Sequence, residues 1–170
     1  MIKEMYCSYE LSKLLKEKGF KESTQLVWYE HLPSPNAVHD SEIGKPKRDY
    51  FYWEKEGERN STWTNDSPIP SYISGEVYSC PTHQIAMAWL REVHNIDIDI
   101  EPSVGMLGIK VYVPFISTYK PLKDDPSKVR QIKRGIYYKD DRGVIPSLQH
   151  FDSYDEAVEA ACLYVLNNLI

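Results

Sequence analysis

No run of this chain approaches the ~20 consecutive apolar residues of a membrane span. Cysteine is scarce and odd in number: Cys7, Cys80 and Cys162 stand far apart and match no metal-binding spacing such as C-x-x-C. They read as reduced, mostly buried thiols. Absent too are a Gly-rich phosphate loop, a G-x-S-x-G elbow, an H-E-x-x-H helix and an EF-hand loop. The common NTPase, hydrolase and metalloprotease classes therefore have no signature here. The N-terminus carries Lys3 and Glu4 before any apolar run, unlike a secretory signal, so a cytoplasmic protein is expected.

What is present is globular composition. Of 170 residues, 42% are hydrophobic and 26% charged, far from the low-hydrophobicity, high-charge balance of disorder. That length suits one domain, and a single domain over 1–170 is expected. Aromatics are unevenly chosen: thirteen tyrosines and four tryptophans against four phenylalanines. Tyr and Trp can stack and also hydrogen-bond, although aromatics are favoured in strands in any case. The charge is uneven as well. Between Tyr119 and Arg142 eight basic residues face four acidic ones, on a chain whose net charge is −5. A cationic segment on an anionic body attracts a small anion locally and disfavours duplex nucleic acid.

The hydrophobic period changes sharply between Cys80 and Phe115. Ile85, Ala86, Ala88, Trp89, Leu90 and Val93 recur at helical spacing, whereas Ile96, Ile98 and Ile100 alternate with Asp97, Asp99 and Glu101. The first pattern buries one face of a helix, the second one face of a sheet. Ser8 caps a first helix over Tyr9 to Lys18, stopped at Gly19. Thr24 to Tyr29 reads as a strand, and His31 to Lys47 as a Pro-rich loop. Asp49 to Trp53 and Ser61 to Thr64 flank a turn at Lys55 to Glu58, predicting a hairpin that sets Trp53 beside Trp63. A second hairpin joins Ile96 to Glu101 with Ile109 to Phe115. The basic stretch runs as a loop and then as a strand near Gln131 to Tyr138, with a turn at Asp140 to Gly143. Ser153-x-x-Glu156 is a capping-box pattern for a last helix that ends close to Ile170. The expected fold is α+β: a mainly antiparallel sheet of hairpins with about three helices packed on it.

Three constellations could carry chemistry. Asp97, Asp99 and Glu101 share one strand face with neighbours about 6–7 Å apart, close enough to hold a divalent ion or to act as acid and base; the polar side of a half-buried strand has the same pattern. His83 and His94 close the two ends of the second helix, about 16 Å apart, too far to share a metal, and Cys80 with His83 could form a nucleophile and base. The third joins flat groups to cations: Trp53, Arg59 and Trp63 in the first hairpin, and Arg130, Lys133, Arg134, Tyr137 and Tyr138 in the basic strand. Nucleotide-like ligands need an aromatic plane for the base and Arg or Lys for phosphate. Alternating basic and aromatic positions also protect an exposed edge strand.

Ser8-Tyr-Glu-Leu-Ser-Lys-Leu-Leu-Lys-Glu-Lys-Gly-Phe20, Pro81-Thr-His-Gln-Ile-Ala-Met-Ala-Trp-Leu-Arg-Glu-Val-His-Asn-Ile96 and Tyr154-Asp-Glu-Ala-Val-Glu-Ala-Ala together resemble segments of small accessory proteins of Bacteroidales phages and mobile elements. The resemblance implies a short protein acting in a bacterial cytoplasm, and it brings no catalytic motif. The leading expectation is a non-enzymatic phage-type binding protein that counters a host process by sequestering a nucleotide-derived signal, with no cofactor and no metal. One alternative is a protein-interaction module gripping a host or phage protein through His31 to Lys47; another is a small hydrolase using Asp97, Asp99 or Glu101. Homo-oligomerisation is compatible with each.

Overall fold

The computed structural model describes residues 5–30, 46–50, 53–55, 58–60, 62–67, 69, 75–105, 107–121, 123, 129–140 and 143–170. Among the described residues, three helices and two three-stranded antiparallel sheets make an α+β fold, mainly antiparallel as expected. Two further antiparallel strand pairs form two-stranded ribbons. The chain clusters into two compact units, residues 1–82 and 83–170, taken one at a time below.

In the first unit, α1 (Tyr9–Glu17) begins at Ser8, whose side chain accepts a hydrogen bond from the Leu11 N–H. Gly19 at φ 89° takes the chain out of the helix, a conformation that costs glycine little. Leu11 and Leu15 are fully buried, and the helix packs on β5 (Val77–Cys80). β5 pairs with β1 (Leu26–Glu30), which pairs on its other edge with β2 (Pro46–Tyr50). Asn65 ties the loops to this sheet, donating from Nδ2 to the Phe20 carbonyl and accepting from the Ser79 N–H.

The first hairpin forms, but in another register from the one the sequence suggests. β3 (Trp53–Lys55) and β4 (Glu58–Asn60) set Trp53 opposite Asn60. Trp63 instead bridges Thr24, and its ring is 2% exposed beside Val27 and Val77. Burying the largest apolar side chain in the unit's core removes more apolar surface from water than an exposed ladder pair would.

In the second unit, α2 (His83–His94) leads through Asn95, at a left-handed φ of 54°, into β6 (Ile96–Val104). The sheet order is β6, β7 (Lys110–Pro121), β8 (Val129–Gly135). β7 runs well past Phe115, because Ile116 and Ser117 are buried and continue the ladder. The predicted basic strand divides at Ile136: β8 ends at Gly135, and β9 (Tyr137–Asp140) pairs with β10 (Gly143–Leu148). α3 (Tyr154–Asn168) starts at Ser153, whose side chain accepts from the Glu156 N–H, and packs on β6, β7 and α2. Among the described residues no helix is long and apolar enough to cross a membrane.

Candidate functional site

Residues 116 to 120 and 129 to 135 form the end of the second unit's sheet where its helix-facing side meets the last turns of α2 and α3. Ladder pairing puts Ile116 opposite Arg134, Thr118 opposite Ile132, and Lys120 opposite Arg130. Strand alternation then places Ile116, Thr118, Lys120, Arg130 and Arg134 on one face, the face that also carries the buried Ile96 and Ile98. Beyond the apolar core this face becomes cationic.

A cleft of about 300 Å³ opens there, lined by His94, Asn95, Ile96, Ile116, Thr118, Tyr119, Lys120, Arg134, Tyr164 and Leu169. Among the described residues its lining has two cationic side chains and no Asp or Glu, on a chain of net charge −5. Among the described residues neither Lys120 nor Arg134 forms an ion pair. Burial pushes the His94 imidazole below its ordinary value, favouring the neutral ring. Its edge packs against Trp89, with ring centroids 4.7 Å apart. The cleft thus offers two positive charges, hydroxyl and amide groups, and an apolar floor, the usual make-up of a small-molecule site.

No family model, curated protein or solved structure matches this chain. Its site is read from geometry alone.

Of the eight residues singled out by sequence, the cleft takes Arg134. Arg130 shares its strand face. Lys133 points to the other face, where it bonds Glu101 and lies 4.6 Å from the centre of the Phe115 ring. Tyr137 and Tyr138 stand on β9, with Tyr137 opposite Leu148 and exposed. Trp53 and Arg59 belong to the β3–β4 ribbon of the first unit, Arg59 opposite Glu54, and Trp63 is in that unit's core. The combination of indole and guanidinium does occur in the first unit, between residues the sequence reading passed over: Arg48 lies opposite Trp28 on neighbouring strands, 5.6 Å from that ring and 5.2 Å from the ring of Tyr6.

The acidic face of β6 is held by cations. Asp97 pairs with Arg91 and Glu101 with Lys133. Burial raises the Asp97 carboxyl, but hydrogen bonds from Arg91 and Tyr119 outweigh it and hold the group below the usual carboxylate range. A carboxylate held so firmly in its charged form makes a poor general acid. His83 also acquires an unforeseen partner: its Nε2 lies 2.8 Å from Oε2 of Glu159 on α3. The Pro-rich loop from His31 to Lys47 lies almost wholly outside the described residues.

Thr118 and Lys120 were missed because the expected strand ended at Phe115, and Tyr164 because it stands on α3, far from both in sequence. The signal for Thr118 and Lys120 was available in the continued alternation of Ile116, Thr118 and Lys120.

Proposed function

We propose that this chain is a non-enzymatic binding protein for a small, negatively charged, nucleotide-like ligand, taken up in the cleft of the second unit. One observation carries the reading: Arg134 and Lys120 line a cavity of about 300 Å³ whose described lining includes no Asp or Glu side chain. Cations with no ion-pair partner among the described residues, beside an apolar floor, favour a ligand with an anionic end and a flat or apolar end. The volume sits at the lower limit of ordinary small-molecule sites, which suits a mononucleotide-sized molecule. The wider role, an accessory protein that counters a host process by withholding such a molecule, rests on the resemblance of the three helical segments.

Calorimetric titration with adenosine monophosphate, cyclic nucleotides and ADP-ribose tests the reading. The expected result is saturable binding to at least one of them, recovery of the ligand unchanged after denaturation, and weakening by about tenfold or more in Arg134→Gln, the loss of one charge-assisted contact. Failure of every probe to bind, or equal binding by the variant, removes the proposal.

A second reading, a docking module for a protein, is favoured by the tip of the β6–β7 hairpin, where Val104, Leu107 and Ile109 are 73%, 86% and 59% exposed. Three side chains at a tip cover far less than the ~1,600 Å² of a standard interface, so the tip fits as an anchor in an apolar groove of a partner and not as a self-association face. A Leu107→Asp, Ile109→Asp variant that retains the same partner as the wild type in a pulldown ends this reading.

A further inference from the structure

Resting on the cleft proposed above as a ligand site, we infer that its ligand carries two separated anionic groups, one held by Arg134 and the other by Lys120. Arg134 lies opposite Ile116, and Lys120 stands four residues further along β7. At roughly 3.4 Å per residue this sets the two cationic positions about 14 Å apart along the strand. Both belong to one sheet face, and side chains on a sheet face rise roughly perpendicular to it. The charges therefore keep much of that separation, and like charges in a cleft have no reason to converge before an anion arrives.

Between them lies a floor with a different chemistry. Ile96, Ile116 and Leu169 are apolar, while Thr118, Asn95 and Tyr164 supply hydroxyl and amide groups. A single inorganic anion would use one end and leave this floor wet. A molecule with an anion at each end and an uncharged sugar or ring between them satisfies both cations and covers the floor. Each cation approaches its anion from the outer side, so the anions stand closer together than the cations do. A nucleoside bisphosphate, with phosphates on two different sugar hydroxyls, has this form and a size suited to about 300 Å³. Arg130, opposite Lys120 on the same face, reinforces the positive field at that end.

Adenosine 5′-monophosphate and adenosine 3′,5′-bisphosphate, titrated into the full chain and into Lys120→Gln and Arg134→Gln, separate this inference from the reading beneath it. The bisphosphate is expected to bind at least about tenfold tighter than the monophosphate, the worth of one further charge-assisted contact. Its affinity should fall more steeply with added salt, since it engages more charges. Lys120→Gln should bring the bisphosphate down to the affinity of the monophosphate, with the thermal midpoint of the chain unchanged because Lys120 is exposed. Equal affinity for the two nucleotides, or an equal loss for both in Lys120→Gln, overturns the two-anion inference and leaves the cleft as a single-anion site. If neither nucleotide binds to the wild type, the inference fails along with the cleft reading.

Discussion

Leu148 occupies the space beside Gly135: a β-carbon on Gly135 would stand 2.0 Å from Leu148 Cδ2 and 3.6 Å from Phe115 Cε1. A side chain at Gly135 would therefore require the end of the Leu148 side chain to move.

Gly135→Ala should destabilise the chain by about 1–3 kcal/mol, the usual cost of forcing an extra carbon into a packed site. Leu148→Ala in the same chain should recover part of the loss, because the clashing atom is then gone. Urea unfolding of the two single variants and the double variant gives the coupling; simple additivity would show that the contact does not govern this strand end.

Asp97 gives the acidic face a pH signature. Its carboxyl lies below its ordinary value of 3.8 because Arg91 and Tyr119 hydrogen-bond the charged form more strongly than burial opposes it. A folded-state value below the unfolded one adds stability that is complete above the unfolded value and disappears as pH falls through the folded one. Asp97→Asn should therefore cost about 1 kcal/mol near neutrality, and the gap from wild type should close below pH 4. Denaturant unfolding of both proteins across the acid range checks this; a gap that stays constant would show that charge is not its source.

Native thiols should be unreactive. Burial pushes the Cys80 thiol up to about 11 despite the opposing influence of Arg48, and it raises Cys162 with help from Glu159. Since the thiolate is the nucleophile, a two-unit rise alone cuts the reactive fraction of Cys80 about 100-fold. Iodoacetamide at pH 8 should leave Cys80 and Cys162 unlabelled by mass spectrometry until denaturant is added. Rapid native labelling of either would mean that its burial is transient.

His83 is 4% exposed and bonds Glu159 across the α2–α3 contact. Glu159→Ala strands the buried imidazole and should cost about 1–3 kcal/mol, whereas Glu159→Gln keeps an acceptor oxygen and should cost less. Equal losses in the two variants by urea unfolding would indicate that helix packing, and not the hydrogen bond, is what the glutamate supplies.

Several elements were legible before any coordinates. The caps at Ser8 and Ser153, the helical spacing from Ile85 to Val93 and the Ile–Asp alternation of β6 are short-range patterns, and each falls on the element expected; within the α2 stripe Ala86, Trp89 and Leu90 are buried, whereas Ile85 and Val93 are exposed. Trp63 was not legible, because its neighbours Val27 and Val77 are distant in sequence and local spacing fits a ladder position equally well. Arg134 was picked out for its charge and its aromatic neighbours, yet the residues that share its cleft come from the end of β7 and from the last turns of α2 and α3.

Periodicity and capping depend on interactions within a few residues, so residue order settled where α1 and α3 begin and which face of β6 turns inward. Register, the split of the basic ribbon at Ile136 and the meeting of Lys120 with Arg134 around one cavity depend on which distant segments pair. Only packing over the whole unit chooses among those pairings, because many of them satisfy the same local pattern and differ chiefly in how much apolar surface they bury.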